Sequence, residues 1–155
     1  MLKICDETMQ QVIDHALKNY PSEACGLLVG SKGQDSVTDF HPCKNIYDEM
    51  HKKDPGTYPR TSKTAYLIDS REQQKIFDEA EKNRMEVKAI VHSHTDHDAY
   101  FSEEDRLMAA PWGEPMYPTI SYIVISIWNG QFKEANEYYW DDKKKEFIVE
   151  QVSHS

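Results

Sequence analysis

The chain has 155 residues, of which 39% are hydrophobic and 29% are charged, and this length is typical of one domain with its own core. Only 6 glycines and 7 prolines are present, which excludes collagen-like and low-complexity proteins. Lysine and arginine together number 18 against 27 acidic residues, a net charge of −9 that disfavours a nucleic-acid partner. We expect residues 1–155 to form a single domain.

The start of the chain and its cysteines predict a cytoplasmic protein. Asp6 and Glu7 stand where a secretory signal carries basic residues. No apolar run approaches the ~20 residues that span a bilayer, so we expect no membrane partner. The cysteines are few and widely spaced, as is typical of reduced thiols: Cys5, Cys25 and Cys43.

The first third of the chain predicts one helix and two strands. An amphipathic helix is predicted over 6–19, because its apolar residues recur at helical spacing. A short buried strand over 25–30 and a hairpin strand over 36–40 follow. The hydrophobic pattern then dissolves over 42–62, which predicts a long mobile surface loop. Such a loop is either functional or an insertion without a role, and the sequence leaves both open.

The middle of the chain alternates strands and helices. After a brief strand over 66–68, a second helix begins at Ser70, which stands at capping-box spacing before Gln73. A strand rich in β-branched residues is predicted over 87–93. A third helix begins at Ser102 and runs to about residue 110.

The last third predicts an antiparallel meander of three strands, over 121–128, 132–140 and 146–152. An Asn-Gly pair at 129–130 joins the first two strands, and polar residues at 141–143 join the next two. The whole pattern indicates a mixed sheet with two to three helices packed on it, in an α+β or a three-layer α/β domain.

A metal site is predicted around the end of the 87–93 strand. His92 and His94 are two residues apart, so on a strand both imidazoles point to the same face and can reach one ion. Asp105 follows in the first turn of the third helix, where the intervening loop can fold it back beside the histidines. Two imidazoles and one carboxylate leave a fourth position open, which is typical of a catalytic zinc site.

Each of these residues also has a purely structural interpretation. Ser102 and Asp105 stand at capping-box spacing, and a histidine such as His92 is often only part of a core. Three further residues crowd the same loop and could supply a ligand or line the rim of the site: Asp96, His97 and Asp98.

Glu23 is the best candidate for a catalytic base. A metal-activated water needs a proton acceptor, and the sequence has no His-Glu-x-x-His motif that would place one beside a ligand. Glu23 lies where the first helix gives way to a buried strand, and Gly26 allows a close approach of the backbone.

These five positions resemble the signature of the JAMM (MPN+) zinc metalloproteases: Glu23, His92, His94, Ser102 and Asp105. The segment over 21–28 looks like the glutamate-bearing motif of the small prokaryotic members, and the likeness covers most of the chain. Thr95 departs from the pattern, since many relatives have proline after the second histidine.

The resemblance implies a cytidine-deaminase-like (MPN) three-layer α/β sandwich with one Zn²⁺ per chain. It implies that His92, His94 and Asp105 hold the zinc. In the family pattern Glu23 takes a proton from the attacking water and passes it to the leaving amine, while Ser102 donates a hydrogen bond to the oxyanion. A true cytidine deaminase is disfavoured, because its Pro-Cys-x-x-Cys zinc pair is absent from the sequence.

Family members cleave bonds at the C-terminal glycine of ubiquitin-like proteins, and some small prokaryotic ones act on sulfur carriers. The resemblance therefore implies cleavage of a peptide or isopeptide bond after the Gly-Gly tail of a ubiquitin-like or sulfur-carrier protein. An extended tail needs a narrow groove. The loop over 42–62 is a candidate wall of that groove, and Tyr58 or Tyr66 could contact the tail.

Three other functions stay open from the sequence. The same fold serves as a non-catalytic scaffold in protein complexes, although such relatives have usually lost the metal ligands. A cysteine hydrolase would need an activated thiol, whereas Cys25 stands in an apolar, glycine-flanked strand. A zinc enzyme acting on a small molecule is the third.

Overall fold

The computed structural model describes residues 1–152. Its helices are α1 (Asp6–Asn19), α2 (Tyr47–Lys53), α3 (Ser70–Lys82) and α4 (Glu103–Ala109). Its strands are β1 (Lys3–Ile4), β2 (Cys25–Ser31), β3 (Ser36–Val37), β4 (Asp39–Cys43), β5 (Met85–Thr95), β6 (Ser121–Trp128), β7 (Gln131–Asp141) and β8 (Glu146–Gln151). Within these residues, no helix is long and apolar enough to cross a membrane.

In the described chain, six strands form a mixed sheet in the order β4-β2-β5-β6-β7-β8. The pair β5–β6 is parallel and the other pairs are antiparallel, while β1 and β3 form a separate parallel pair. A parallel pair needs a crossover connection, and α4 lies in the one that joins β5 to β6. The predicted meander is confirmed as β6-β7-β8, and its first turn has positive φ at Asn129 and Gly130, as a type I′ hairpin requires.

Helices cover both faces of the sheet. On one face, the apolar stripe of α1 packs against strand residues such as Leu28 and Ile125. On the other face, Ile76 of α3 and Ala109 of α4 join a second core with Leu27, which alternates with Leu28 along β2. This arrangement is the predicted three-layer α/β sandwich.

Two predictions between β4 and α3 were wrong. The segment over 42–62 contains the helix α2, and residues 66–68 do not form a strand. The side chain of Asn45 replaces the strand pairing. Its Nδ2 donates to the Ala65 carbonyl, and its Oδ1 accepts from the Leu67 N–H. A side chain that mimics a neighbouring strand leaves no periodic signal in the sequence, so the pattern could not predict it.

Two boundaries also differ from the predictions. The cap of α3 is Asp69, whose carboxylate accepts from the N–H groups of Arg71 and Glu72, and Ser70 is already helical. The strand predicted over 36–40 is divided at Thr38 into β3 and β4.

Candidate metal centre and catalytic cleft

The end of β5 places two histidines on the same face of the sheet. His92 and His94 are both almost fully buried, and β5 is hydrogen-bonded between β2 and β6 at this point. Tyr66 stacks on the His92 ring at a centroid distance of 4.3 Å, and Tyr100 meets the His94 ring edge-on at 4.9 Å. Strand pairing and aromatic contacts therefore hold both imidazoles in place.

α4 brings Asp105 to these histidines. Its Oδ1 lies 3.2 Å from His92 Nε2, and its Oδ2 lies 3.4 Å from His94 Nε2. The three candidate ligand atoms all lie within 4.8 Å of one another, which is the only such group found among residues 1–152. The predicted set of three residues is thus brought together from one strand and one helix.

The hydrogen bonding of the histidines fits a metal ion. Among the described residues, neither ring nitrogen of His92 has a hydrogen-bond partner, although Nε2 approaches Asp105. His94 Nδ1 lies 2.8 Å from the Asp98 carbonyl oxygen, so this N–H donates to it and Nε2 keeps its lone pair. Buried nitrogen and oxygen atoms that lie close together without a hydrogen bond between them are suited to bind one shared cation.

Electrostatics favours the protonation states of a metal site. Burial lowers the pKa of His92, which favours the neutral imidazole. Burial alone would raise the pKa of Asp105, but the positive charge of His92 when it holds a proton, together with the Ser102 N–H, holds that pKa well below its usual range. A metal ion in place of that proton would act in the same direction. Neutral imidazoles and an ionised carboxylate are the forms that bind metals.

Glu23 lies just before β2 and is held from both sides through its backbone. Its N–H donates to the Ser62 carbonyl at 2.7 Å, and its carbonyl accepts from the Asn45 amide at 2.9 Å. Next to it, the Ala24 N–H donates to Ser93 Oγ, between the two histidines. These contacts place Glu23 in the cavity that His94 and Asp105 also line.

Glu23 is buried, with only 6% of the residue exposed. Burial, followed by the charge of Asp105, raises its pKa to about 9, and the Arg60 guanidinium partly opposes this rise. A carboxyl with so high a pKa retains a proton readily, and a nearby cation would favour its ionised form. The group is therefore suited to accept and return a proton.

Ser102 caps α4 and faces the cavity. The Asp105 N–H donates to Ser102 Oγ, and the Ser102 N–H donates to Asp105 Oδ2, each at 3.0 Å. The predicted capping box is confirmed. Because Oγ accepts the backbone N–H, its own hydroxyl proton stays available to a substrate oxygen.

A cavity of about 420 Å³ is lined by four of the groups described above: Glu23, His94, Ser102 and Asp105. The segment between β4 and α3 forms one wall, through Tyr47, Tyr58 and Tyr66, and α4 forms the other, through Leu107 and Met108. Tyr58 and Tyr66 both line it, but Tyr66 is buried and exposes little surface. Their contact with a substrate tail stays a prediction.

Two of the three alternative ligands in the loop after β5 have other partners. Both carboxylate oxygens of Asp96 accept from the Tyr20 hydroxyl, and Asp98 pairs with Lys133. His97 lines the cavity rim, outside the group of three. The contacts of Asn45 and the stacking of Tyr66 were not predicted, because neither follows from local spacing.

The fold and the site together define a JAMM/MPN-type domain: a three-layer sandwich with two histidines, an aspartate, a serine and a buried glutamate around one cleft. The family model described as prokaryotic homologs of the JAB domain matches residues 6–141. The chain belongs to this prokaryotic JAB-domain family, a small JAMM/MPN type whose members generally bind zinc.

Named relatives agree with this family. The chain is 30% identical over 139 residues to the CysO-cysteine peptidase of Mycobacterium tuberculosis, covering 89% of this chain and 82% of the relative. It is 26% identical to the desampylase of Haloferax volcanii, covering 81% and 80%. A JAB1/MPN domain protein from Archaeoglobus fulgidus has the same fold, with a TM-score of 0.54 and 16% identity over 99% of this chain and 97% of that one.

Proposed function

We propose that this protein is a zinc-dependent hydrolase that cleaves a peptide or isopeptide bond after the C-terminal glycine of a ubiquitin-like or sulfur-carrier protein. The observation that carries this proposal is the convergence of the His92, His94 and Asp105 donor atoms beside the buried carboxyl of Glu23. A purely structural cluster would not need a carboxyl with so high a pKa next to unpartnered imidazole nitrogens.

In this proposal His92, His94 and Asp105 hold one zinc ion. The bound ion supplies a Lewis acid that polarises the scissile carbonyl and lowers the pKa of water. Glu23 accepts the proton of the attacking water and returns it to the leaving nitrogen. Ser102 directs its free hydroxyl proton at the carbonyl oxygen as negative charge develops there.

The substrate class is supported by the relatives and by the shape of the cleft. Relatives of this chain are named CysO-cysteine peptidase and desampylase, and the resemblance to the JAMM family implies a sulfur-carrier or ubiquitin-like protein as the substrate. The cleft is walled by Tyr47 and Tyr58 on one side and by Leu107 on the other, which suits an extended tail of small residues.

Elemental analysis and a cleavage assay test this proposal. We expect about one zinc per chain in the wild type and loss of that zinc in the double variant His92→Ala/His94→Ala. Ubiquitin-like and sulfur-carrier proteins extended beyond their Gly-Gly tails are then assayed by mass spectrometry for cleavage after the last glycine. A folded wild type that takes up no zinc would instead support a non-catalytic scaffold.

A further inference from the structure

One wall of the cleft and the backbone of Glu23 belong to the same hydrogen-bonded unit. The wall segment, residues 45–67, lines this side of the cavity through side chains that include Tyr47, Tyr58 and Leu67. Glu23 precedes the segment by 22 residues, yet both its backbone N–H and its carbonyl bond to it. The wall of the cleft and the candidate base are therefore mechanically connected.

The side chain of Asn45 makes the connection to the carbonyl. Its Nδ2 donates to the Glu23 carbonyl at 2.9 Å and to the Ala65 carbonyl at 3.0 Å. Its Oδ1 accepts the N–H of Tyr47 at 3.0 Å and the N–H of Leu67 at 3.1 Å. An amide side chain has two donor hydrogens and two acceptor lone pairs, so all four positions are used. One side chain thus ties Glu23 to three points of the wall segment.

The N–H of Glu23 is held by the same segment. It donates to the Ser62 carbonyl at 2.7 Å. Ser62 is buried, and its own N–H and hydroxyl donate to the carboxylate of Asp48, in the first turn of α2, at 2.7 and 2.6 Å. Because both backbone groups of Glu23 are bonded in this way, a movement of the wall segment would also move Glu23.

The exact position of Glu23 matters for the reaction that we propose. A general base has to lie within hydrogen-bond reach of the proton that it accepts. A misplacement of about 1 Å can cost on the order of 100-fold in rate, even when its cause lies away from the reacting atoms. The bonds from the wall segment to the backbone of Glu23 are suited to prevent such a misplacement.

We propose that Asn45 is a positioning residue that holds Glu23 in place for proton transfer and couples it to the wall of the cleft. This inference rests on the proposed function, in which Glu23 is the base and the cleft receives the substrate tail. A tail that contacts Tyr47 or Leu67 then stabilises the same hydrogen-bonded unit that holds the base. The segment over 42–62, for which the sequence left both a functional role and no role open, is functional in this proposal.

Asn45→Asp separates the base from the wall. The aspartate keeps an acceptor for the N–H groups of Tyr47 and Leu67, but it loses both donor hydrogens and so releases the Glu23 carbonyl. We expect kcat to fall about 10- to 100-fold, with KM changed less than about threefold and zinc content unchanged by elemental analysis. Asn45→Ala removes all four bonds, so we expect KM to rise as well. Unchanged kcat in both variants overturns the inference.

A double-mutant cycle tests whether Asn45 acts through Glu23. Glu23→Gln already lacks the base, so adding Asn45→Asp to it should lower kcat by less than about twofold more. If Asn45 only stabilises the fold, the two losses multiply, which overturns the inference. Asn136→Asp is the matched control, because it removes a comparable bond, from Nδ2 to the Ala99 carbonyl at 3.0 Å, outside the wall segment. Any loss from this control should multiply with that of Glu23→Gln, and equal coupling in the control also overturns the inference.

Amide hydrogen exchange of the metal-free proteins provides a readout besides activity. We expect Asn45→Ala to speed exchange at the N–H groups of Tyr47 and Leu67 at least about tenfold, and Asn45→Asp to leave them protected. Unchanged exchange in Asn45→Ala would contradict the connection to the wall. Multiplied losses in an active enzyme overturn this inference alone. A wild type that cleaves no carrier, or a fully active Glu23→Gln, overturns the proposed function on which it rests.

Discussion

Glu23 combines burial with a position beside the candidate ligands, and its substitution separates metal binding from chemistry. Glu23→Gln keeps the size and polarity of the side chain but removes the proton acceptor. We expect the variant to keep its zinc and to lose at least about 100-fold in kcat. Elemental analysis measures the zinc content of the variant, and the cleavage assay measures its kcat. Full activity with full zinc would assign the proton transfer to another group.

The same residue predicts how the stability of the metal-free protein depends on pH. Folding raises the pKa of Glu23 from 4.5 to about 9, so the folded chain retains a proton that the unfolded chain releases between these values. The contribution of Glu23 to stability is therefore present below about pH 4.5 and is lost as pH rises toward 9. We expect metal-free Glu23→Gln to be more stable than the wild type at pH 8, with a smaller difference at pH 5.

Urea unfolding of both proteins in the presence of a chelator checks this pH dependence. The linear extrapolation gives the free energy of unfolding at each pH, and equal slopes show that the exposed area is unchanged. Parallel pH profiles for the two proteins would contradict the raised pKa.

The thiols are predicted to differ sharply in reactivity. Burial raises the pKa of Cys25 far above its ordinary range and that of Cys43 to about 12, whereas a hydrogen bond with the Thr8 hydroxyl lowers the pKa of the exposed Cys5. We expect iodoacetamide to label the folded protein at Cys5 and to leave cleavage intact. Peptide mass spectrometry locates the label, with Cys5→Ser as the unlabelled control. Loss of activity with labelling of Cys25 would revive the cysteine-hydrolase hypothesis.

Local spacing predicted the candidate ligands but not what surrounds them. The alternation of a strand places His92 and His94 on one face, and a helix cap places Asp105 at the third helical residue. The environment of Glu23 depends on Asn45 and Ser62, which are distant in sequence and belong to a segment without periodicity. Such long-range contacts carry no signal that a single sequence reveals.

At the scale of the element, Ser102 has a structural and a proposed catalytic role that two substitutions can separate. Ser102→Ala removes both the cap of α4 and the hydroxyl, and we expect it to cost about 1 kcal/mol of stability. Ser102→Gly also removes the hydroxyl but costs only a few tenths of a kcal/mol, because glycine is tolerated at the cap. If the hydroxyl acts on the substrate, both variants lose activity to a similar extent.

Thermal unfolding and the cleavage assay together measure this separation. If Ser102→Gly kept nearly wild-type activity while Ser102→Ala lost both stability and activity, the role of Ser102 would be only to cap α4.

The contact between β2 and β3 depends on a glycine. A Cβ at Gly30 would lie 1.8 Å from the Ser36 carbonyl oxygen, a backbone atom that cannot move without disturbing the strand. We expect Gly30→Ala to destabilise the protein by about 2 kcal/mol or more. Gly56→Ala is the control, since its Cβ would meet only the Asp54 carboxylate at 3.6 Å, and we expect little change in urea unfolding. Similar midpoints for the two variants would show that the strands can separate at low cost.

The sequence predicts elements well where hydrophobic periodicity is strong. The bounds of α1 agree with the apolar stripe, and β6 agrees with its run of branched residues. α2 was missed because none of its residues is buried, so no stripe marks it, and its charged residues suggested a loop. Hydrophobic periodicity therefore cannot predict a short helix that buries none of its own residues.

At the scale of the whole molecule, the negative charge predicts a salt-dependent encounter. A carrier with basic residues around its tail is attracted to a chain of net charge −9, and salt screens this attraction. We expect KM to rise several-fold between about 0.05 M and about 0.5 M NaCl, with kcat nearly constant. The control is the same carrier with its basic residues replaced by glutamine. An equal response of both carriers would exclude long-range attraction.

The prediction that residues 1–155 form one domain stays a prediction, because 153–155 lie outside the described residues. Cooperative unfolding of the chain, with coincident transitions by fluorescence and circular dichroism, is the expected result for one domain.

The position of α4 in the crossover between β5 and β6 has an evolutionary consequence. The same stretch of chain carries Asp105 and makes the only connection between two central strands. Deleting it would break the sheet, so a descendant could not discard the candidate metal site by losing a segment. Inactive descendants of this chain should therefore keep its length and architecture and differ by point substitutions at positions such as 92, 94 and 105. The scaffold proteins of this fold would then be recognisable as enzymes whose ligands were replaced one residue at a time.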